Sequence, residues 1–484
     1  MKVVFLVSLG ALAAGILAQT GSTVFEKPNF NVTEALLDIG FNVSAISVLA
    51  GLAEQSLLTA CSIACTSLNV IYSIAKVFIE VSALVLLPRL TGCPFTVKAG
   101  GHTAFAGSSS IEGGITVALE SKNAITVSSD KKVASIGPGN VWLNAYQTLE
   151  QYRLAVMSTI GVPGLVLGGG ISCFVNKFGW ACANMASYEV VTASGIVITA
   201  SITSHSDLYW ALRGGGSNFG IIAKFNLNTF PQRSLWGDSR LYTPESFSQA
   251  VEASFGYLLP MGNVVTAQLQ YGKPDPKSTI FNERRTLPAL QDTTGVVILP
   301  QLNQNLGESA PEGTFRQTYW DVSFKLDRAL MGFIVGKFFE LVPGVLDVEG
   351  LLPPAAIQLI TQRQLDGMKK NGGNSLGLDT SGGPRFIFNL AITWSKAEDE
   401  PRMINFCSDV IKAAKAEAQR LGADNDFIYM NYALQYQDPL GSYGAANLNK
   451  LRPVAAKYDP TAVFQKLLPG YFRLYGGAPN PNLP

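Results

Sequence analysis

Histidine and cysteine are scarce in this sequence of 484 residues: two of the first, His102 and His205, and six of the second. Two imidazoles exclude a three-histidine metal centre. With no CxxC pair and no HExxH motif either, no metal is expected. Charge is also thin, at 15% of residues, and 36 basic against 35 acidic side chains leave a formal +1 with no sustained run of one sign. So even a balance lacks the basic stripe that holds nucleic acid or an anionic membrane face, which leaves a small molecule as the expected ligand. The nucleotide fingerprints are missing too. No strand–GxGxxG–helix unit and no GxxxxGK[ST] loop occurs, so a nicotinamide-dependent Rossmann enzyme and a P-loop fold find no support.

What is present is enough apolar material, 47% of residues, for a large core, and a length that predicts two or three domains. The opening "MKVVFLVSLGALAAGILAQT" has one lysine, an apolar stretch and small residues around Ala18. That is the layout of a secretory signal cut after residue 18, which predicts a secreted protein. Asn31 and Asn42 head two glycosylation acceptors behind it, as a secreted glycoprotein allows. The later run from Val70 to Leu87 carries Lys76 and Glu80, whose cost in lipid predicts a buried or amphipathic helix and no membrane span. Cys61, Cys65 and Cys93 are the disulfide candidates. Closing the roughly 30-residue loop to Cys93 would contribute about 3 to 4 kcal/mol in the chain-entropy account. Cys173, Cys182 and Cys407 are expected as buried thiols.

From Cys93 to about Phe230 short β-branched runs alternate with glycine-rich turns, as in "FTVKAGG", "GGITVALE", "KVASIGPG" and "GIIAKFNLNTF", which predicts sheet. Helices are expected at "NVWLNAYQTLEQY", with Asn140 as N-cap, and at "SDLYWALRGGG", starting at Ser206. Beyond Pro231 glycine thins, and "NVVTAQLQY" and "RFIFNLAITW" predict strands while "VIKAAKAEAQRL" predicts a helix.

Two glycine clusters stand out, "AGGHTAFAG" and "GVPGLVLGGG". Glycine admits positive φ and close approach, and consecutive amides in such turns make anion-binding nests suited to a pyrophosphate. Spacing alone leaves plain tight turns equally open, and "RGGGSNFG" reads as a simple helix-to-strand connection.

These pieces, with "IEGGITVAL", "SIGPGNVW", "DLYWALRGGGSNFGI", "MNYALQYQDPLGSYGAAN" and "KYDPTAVFQKLLPG" in this order, resemble the FAD-linked oxidoreductases with a PCMH-type flavin domain. The likeness is to their berberine-bridge-enzyme-like branch, its secreted fungal members above all, and runs from about Glu80 to Arg473. It implies an α+β fold: a two-lobed flavin-binding domain over residues 19–230, a substrate-binding domain with an antiparallel sheet over 231–425, and a segment 426–484 that returns to the flavin. It also implies FAD bonded covalently to His102, with the amides around Gly100, Gly101, Thr103 and Gly107 at the pyrophosphate. A tether of this kind would make the cofactor a stronger oxidant. The resemblance further assigns Ile160, Gly161, Gly164, Gly168, Gly169, Gly195, Val197, Tyr443, Gly444 and Asn447 to the cofactor's surroundings, and Tyr429 or Tyr432 to proton removal. For either tyrosine aromatic packing stays open, and a free phenol titrates near ~10, so its proton would have to be made easier to remove or move with the hydride. His205 has no such context and reads as a loop residue.

Departures from the family pattern qualify this. Met157 stands where some relatives carry a second, cysteinyl bond, so one tether is expected. Pro163 replaces a glycine and removes an amide donor; Ala183 replaces an aspartate; the first lobe is shortened ahead of "EVSALVLL". Ile160, at a place where fungal relatives have valine beside the oxygen-reacting face, implies slower oxygen chemistry, with core packing equally open. The function implied is oxidation of a small-molecule alcohol or amine, a sugar or secondary metabolite, by a monomer, with oxygen as acceptor and hydrogen peroxide as product. The alternatives are a dehydrogenase or oxidative cyclase of secondary metabolism, and a secreted scaffold impaired in catalysis.

Overall fold

The structure is a computed structural model that describes residues 71–480 apart from 75–77, 158–160, 243–252, 259–261, 309–314 and 379–380. The signal segment, both glycosylation acceptors, Cys61, Cys65, Lys76 and Ile160 lie outside the described residues.

Strands β1 (Ile71–Ile74), β2 (Phe95–Lys98) and β3 (Ile115–Ala118) form a small parallel sheet in the order β1-β3-β2. The stretch from Val70 therefore opens with a strand, and its helix begins only at Phe78, spanning Phe78–Thr91. Val81, Leu84, Val85 and Leu86 of that helix and Phe95, Ile115 and Val117 of the sheet share one core. Among the described residues no helix is long and apolar enough to cross a membrane. Cys93 is disulfide-bonded, while Cys173, Cys182 and Cys407 are free. Cys182 and Cys407 are buried thiols as anticipated, while Cys173 is half-buried.

A second sheet combines β4 (Ile125–Val127), β5 (Val133–Ile136), β7 (Met185–Val191), β8 (Val197–Ser201) and β9 (Ile221–Asn228), all antiparallel, in the order β4-β5-β9-β7-β8. Between its strands β6 (Leu154–Ala155) pairs with β10 (Phe230–Pro231). The helix Trp142–Glu150 forms where periodicity places it, but its N-cap is Val141, without a side-chain cap. Asn140 instead donates to the carbonyls of Asn123 and Gly137, closing the preceding turn, because a buried amide satisfies two carbonyls there and only one amide at a cap. His205 is a turn residue in the left-handed region, at the N-cap of the helix Ser206–Ala211.

The large third sheet is built from β11 (Leu235–Tyr242), β12 (Ala253–Leu258), β13 (Gly262–Tyr271), β14 (Gln291–Asp292), β15 (Gly295–Val297), β16 (Arg316–Lys325), β17 (Ala355–Ile360), β18 (Arg385–Trp394) and β19 (Asp424–Asn425). Its centre runs β12-β17-β18-β16, all antiparallel. Alternation decides its two faces. Trp320, Val322 and Phe324 of β16 and Phe386, Phe388, Leu390, Ile392 and Trp394 of β18 pack with two long helices, Arg328–Leu341 and Glu400–Leu421. The first helix starts at Asp327, whose carboxylate accepts from the Leu330 amide at 2.8 Å, and the second stops at Gly422 with φ 68°. Residues of the other face, among them Tyr319, Asp321 and Asn389, turn toward the first two sheets.

Candidate functional site

A cavity of about 380 Å³ lies where the three sheets meet. The loop after β2 supplies Gly100, Gly101, His102, Thr103 and Ala104, followed by Phe105, Ser108 and Ser109. Among the described residues, the amides of Gly100 through Ala104 make no hydrogen bond. An unpaired run of this kind is a nest for an anion. Opposite stands Gly161, Cα of which lies 3.5 Å from where a Cβ on Gly100 would sit, an ordinary contact that brings the two glycine loops together. Gly164 faces open space. Pro163 lines the same wall and occupies the first turn of the short helix Val162–Leu167, where its missing amide costs the helix nothing. The Ser108 hydroxyl is buried with no partner among the described residues while Ser108 lines the wall, a donor awaiting an acceptor. Val97, Leu119, Ile221, Ile222 and Leu468 make the rest of this end apolar.

His102 sits at the mouth, its surface open to solvent, and the surrounding protein lowers its pKa from the usual histidine value by desolvation. A neutral ring keeps a lone pair on one nitrogen.

At the far end stand Tyr319, Asn389, Met430, Asn431 and Tyr432. Tyr432 donates its hydroxyl to Gln358 Oε1 at 3.2 Å, and the Tyr319 ring meets it edge-on at 6.3 Å between centroids. Burial, then the neighbouring Tyr429, Tyr319 and Asp321, push the Tyr432 hydroxyl pKa up. Gln358 accepts a proton's hydrogen bond but carries no charge to draw the proton off, so this phenol stays protonated at rest.

Tyr429 is placed differently. It is 1% exposed, behind the cavity wall, and its oxygen accepts from the amides of Gly170 (3.0 Å) and Ile171 (3.3 Å) and from Asn431 Nδ2 (2.8 Å). Burial again raises its pKa. Its geometry is that of a strut: it ties the second glycine loop to the turn that carries Tyr432. Gly168 and Gly169 belong to the same strut, packed under Asn431 and Trp180, and Gly169 takes φ 125° with Trp180 2.8 Å from any added Cβ.

The other sequence candidates stand outside the cavity wall. Gly107 backs onto Gly470. Gly195, in the β7–β8 turn, abuts Leu86, and Val197 begins β8 against the core of the first sheet. Tyr443 is buried, donates to the Gly214 carbonyl at 2.9 Å and stacks on Phe427; Asn447 donates to the Tyr443 carbonyl at 3.0 Å, one turn into the helix that follows Gly444. Met157 is buried near Ser172, and Ala183 is held by backbone bonds, its amide donating to the Trp180 carbonyl and its carbonyl accepting from Asn371. Sequence reading missed Gly216, Ser217 and Gly220, which line the cavity from a loop taken for a mere connection. The glycine density of "RGGGSNFG" was the available signal. It also missed Tyr319 and Asn389, for which no local signal exists.

Comparison with known proteins accounts for this arrangement. Residues 78–201 match the FAD binding domain family. A FAD-dependent monooxygenase of Fusarium proliferatum is 34% identical over 427 residues, covering 81% of this chain and 82% of that protein. Among solved structures, 6-hydroxy-D-nicotine oxidase of Arthrobacter nicotinovorans superposes with TM-score 0.66 at 18% identity, covering 85% of this chain and 91% of that one. Glucooligosaccharide oxidase of Acremonium strictum, described with a 6-S-cysteinyl, 8α-N1-histidyl FAD, gives 0.65 at 17% identity over 85% of this chain and 92% of that one. The unpaired amides, the orphaned Ser108 hydroxyl and the apolar wall suit the phosphates and ring of such a cofactor, and the chain belongs to the FAD-linked oxidoreductases with a PCMH-type flavin domain.

Proposed function

We propose that the chain oxidises a small-molecule alcohol or amine with FAD bonded through His102. The observation that carries the reading is the single cavity that joins the His102 nest, the Gly161 loop and the Tyr432 hydroxyl. Gly100, Gly101 and Thr103 would hold the pyrophosphate through their amides, with Ser108 as an added donor. When bound, the flavin supplies a two-electron acceptor for hydride. The protein's part is to orient the substrate hydroxyl or amine against Tyr432 and to exclude water with Val97, Ile222 and Tyr319. Because burial disfavours a phenolate at Tyr432, a substrate proton would pass to this oxygen only as the phenol's own proton moves on to solvent, in step with the departing hydride. Overall, the alcohol loses two electrons and two protons to dioxygen and gives a carbonyl compound and hydrogen peroxide. Met157 in place of a cysteine leaves one tether.

The test is direct. Purified protein should be yellow, the colour should stay with the chain after denaturation, and a tryptic peptide spanning His102 should carry the flavin's mass. His102→Ala should lose that mass. A panel of alcohols, sugars and amines then identifies the substrate by flavin bleaching without oxygen. The relatives named as monooxygenases favour a second reading, in which an oxygen atom enters the product. Peroxide formed one-to-one with oxygen consumed, and no label from ¹⁸O₂ in the product, decides for the oxidase; labelled product decides against it. Secretion as a monomeric glycoprotein belongs to the same reading, and is checked by intact mass and sedimentation of protein from culture medium.

A further inference from the structure

Asp321 and Asn389 stand directly opposite each other on β16 and β18. Cross-strand partners in an antiparallel pair share a face, with Cβ atoms roughly 4.5–5.5 Å apart. Both are buried, at 0% and 7% exposed. Each has one oxygen with no hydrogen-bond partner among the described residues: Asp321 Oδ1 and Asn389 Oδ1. The second Asp321 oxygen is committed, accepting from the Tyr429 amide at 2.8 Å. Asn389 lines the cavity beside Tyr319 and Tyr432. Two buried acceptor oxygens on paired residues of neighbouring strands would each forfeit a hydrogen bond, a loss neither can recover from solvent. One proton on the acid resolves both.

We propose that Asp321 is held as the neutral acid, donates its proton to Asn389 Oδ1, and so fixes the Asn389 carboxamide with its N–H group toward the cavity as a donor to a hydroxyl or carbonyl oxygen of the substrate. The substrate half rests on the oxidation reading above; the protonated pair does not. Asn389 is then a substrate-positioning residue and Asp321 acts through it. The surroundings agree: burial raises the Asp321 pKa well above the ordinary carboxylate value. The titratable groups facing it are phenols, Tyr319 on its own strand and Tyr429, Tyr432 and Tyr443 from the C-terminal segment. No arginine or lysine contributes to stabilising the anion. An ionised Asp321 would instead demand that Asn389 turn its N–H inward and show the cavity an acceptor.

The experiment is infrared difference spectroscopy of the purified flavoprotein at pH 7, wild type minus Asp321→Asn. A protonated-carboxyl carbonyl band in wild type is expected, shifting to higher frequency in Asn389→Ala, where its acceptor is gone. Carboxylate bands in place of the carboxyl band overturn the proposal, and an unshifted band in Asn389→Ala overturns the Asn389 contact. Asp321→Asn keeps both an acceptor for the Tyr429 amide and a donor for Asn389. Its melting temperature should therefore rise relative to wild type as pH goes from 5 to 9, because a raised folded pKa means stability lost as pH climbs through it. A gap that stays flat or reverses counts against a neutral acid. Asp321→Asn should also keep the KM of the substrate found by bleaching within about threefold, while Asn389→Ala raises KM about tenfold or more, as loss of one bond to substrate predicts. The infrared band needs no turnover. A missing band with normal oxidation therefore sinks this pair alone, and a present band with no oxidation sinks the functional reading alone.

Discussion

Strands β16 and β18 have two faces that the same rule of alternation builds to opposite ends. On one, Trp320, Val322, Phe324, Phe388 and Leu390 are closed off by two helices in a mainly apolar core, where Thr318 Oγ1 and Trp394 Nε1 are the polar atoms without a partner among the described residues. On the other, Tyr319, Asp321, Ser323 and Asn389 bring polar groups into a region almost as dry, and several of their atoms, Asp321 Oδ1, Ser323 Oγ and Asn389 Oδ1, find no partner among the described residues. The first face holds the sheet together. The second spends stability on chemistry: buried polar atoms left unpaired cost about 1–3 kcal/mol each, so a fold keeps them where a ligand or a proton completes them.

The sharpest way to break this comparison is at Tyr432. Tyr432→Phe should lower turnover by a factor on the order of 10²–10⁴ with bound flavin content unchanged, measured by steady-state rate and by the bound flavin's absorbance. If thermal stability falls in step with turnover, the cavity face is structural like the other. Next in size, Phe388→Ala on the helix-covered face should cost about 3–5 kcal/mol in denaturant unfolding, through lost burial and a cavity. Residual folded protein should turn over normally. Tyr429→Phe falls between the faces: removing an oxygen that three donors share should cost about 1–3 kcal/mol and raise flavin mobility, seen as increased fluorescence anisotropy decay, with a smaller rate loss than Tyr432→Phe. A rate loss as large as that of Tyr432→Phe would make Tyr429 the proton acceptor instead. The smallest effect belongs to the exposed Arg402–Asp347 pair, bridged at 2.6 and 2.9 Å. The hydrogen bond from Arg402 holds the Asp347 pKa below its ordinary value. A lowered folded pKa means the contribution is whole above the unfolded value near ~3.9 and disappears as pH falls through the folded one. Arg402→Met should therefore lower the melting temperature slightly at pH 7, and the gap should close below pH ~4; a pH-independent gap would assign the loss to packing.

Much of the fold was legible. "RFIFNLAITW" is β18 from end to end, and the helix through "VIKAAKAEAQRL" exists, though it starts earlier, at Glu400. Both signals are local, one a β-branched and aromatic run, the other a helical repeat of apolar residues. Boundaries set by competition were not. Asn140 suits a cap but closes a turn, because the carbonyls of Asn123 and Gly137 are buried where the side chain can reach both. Nor does anything between Val70 and Phe78 say that Ile71–Ile74 pairs with a strand more than forty residues on.

The sequence by itself marked the His102 loop, because a run of glycine and small residues sets its turn locally, and the family resemblance implies a flavin there. The resemblance likewise implied that "YMNYALQ" returns to the cofactor. Only the tertiary structure decided which tyrosine of that segment faces in, that Tyr319 and Asn389 join it, and that Asp321 stands behind Asn389. Those residues lie on strands about seventy residues apart, and their meeting is fixed by sheet register, a long-range property to which no stretch of sequence holds the key alone.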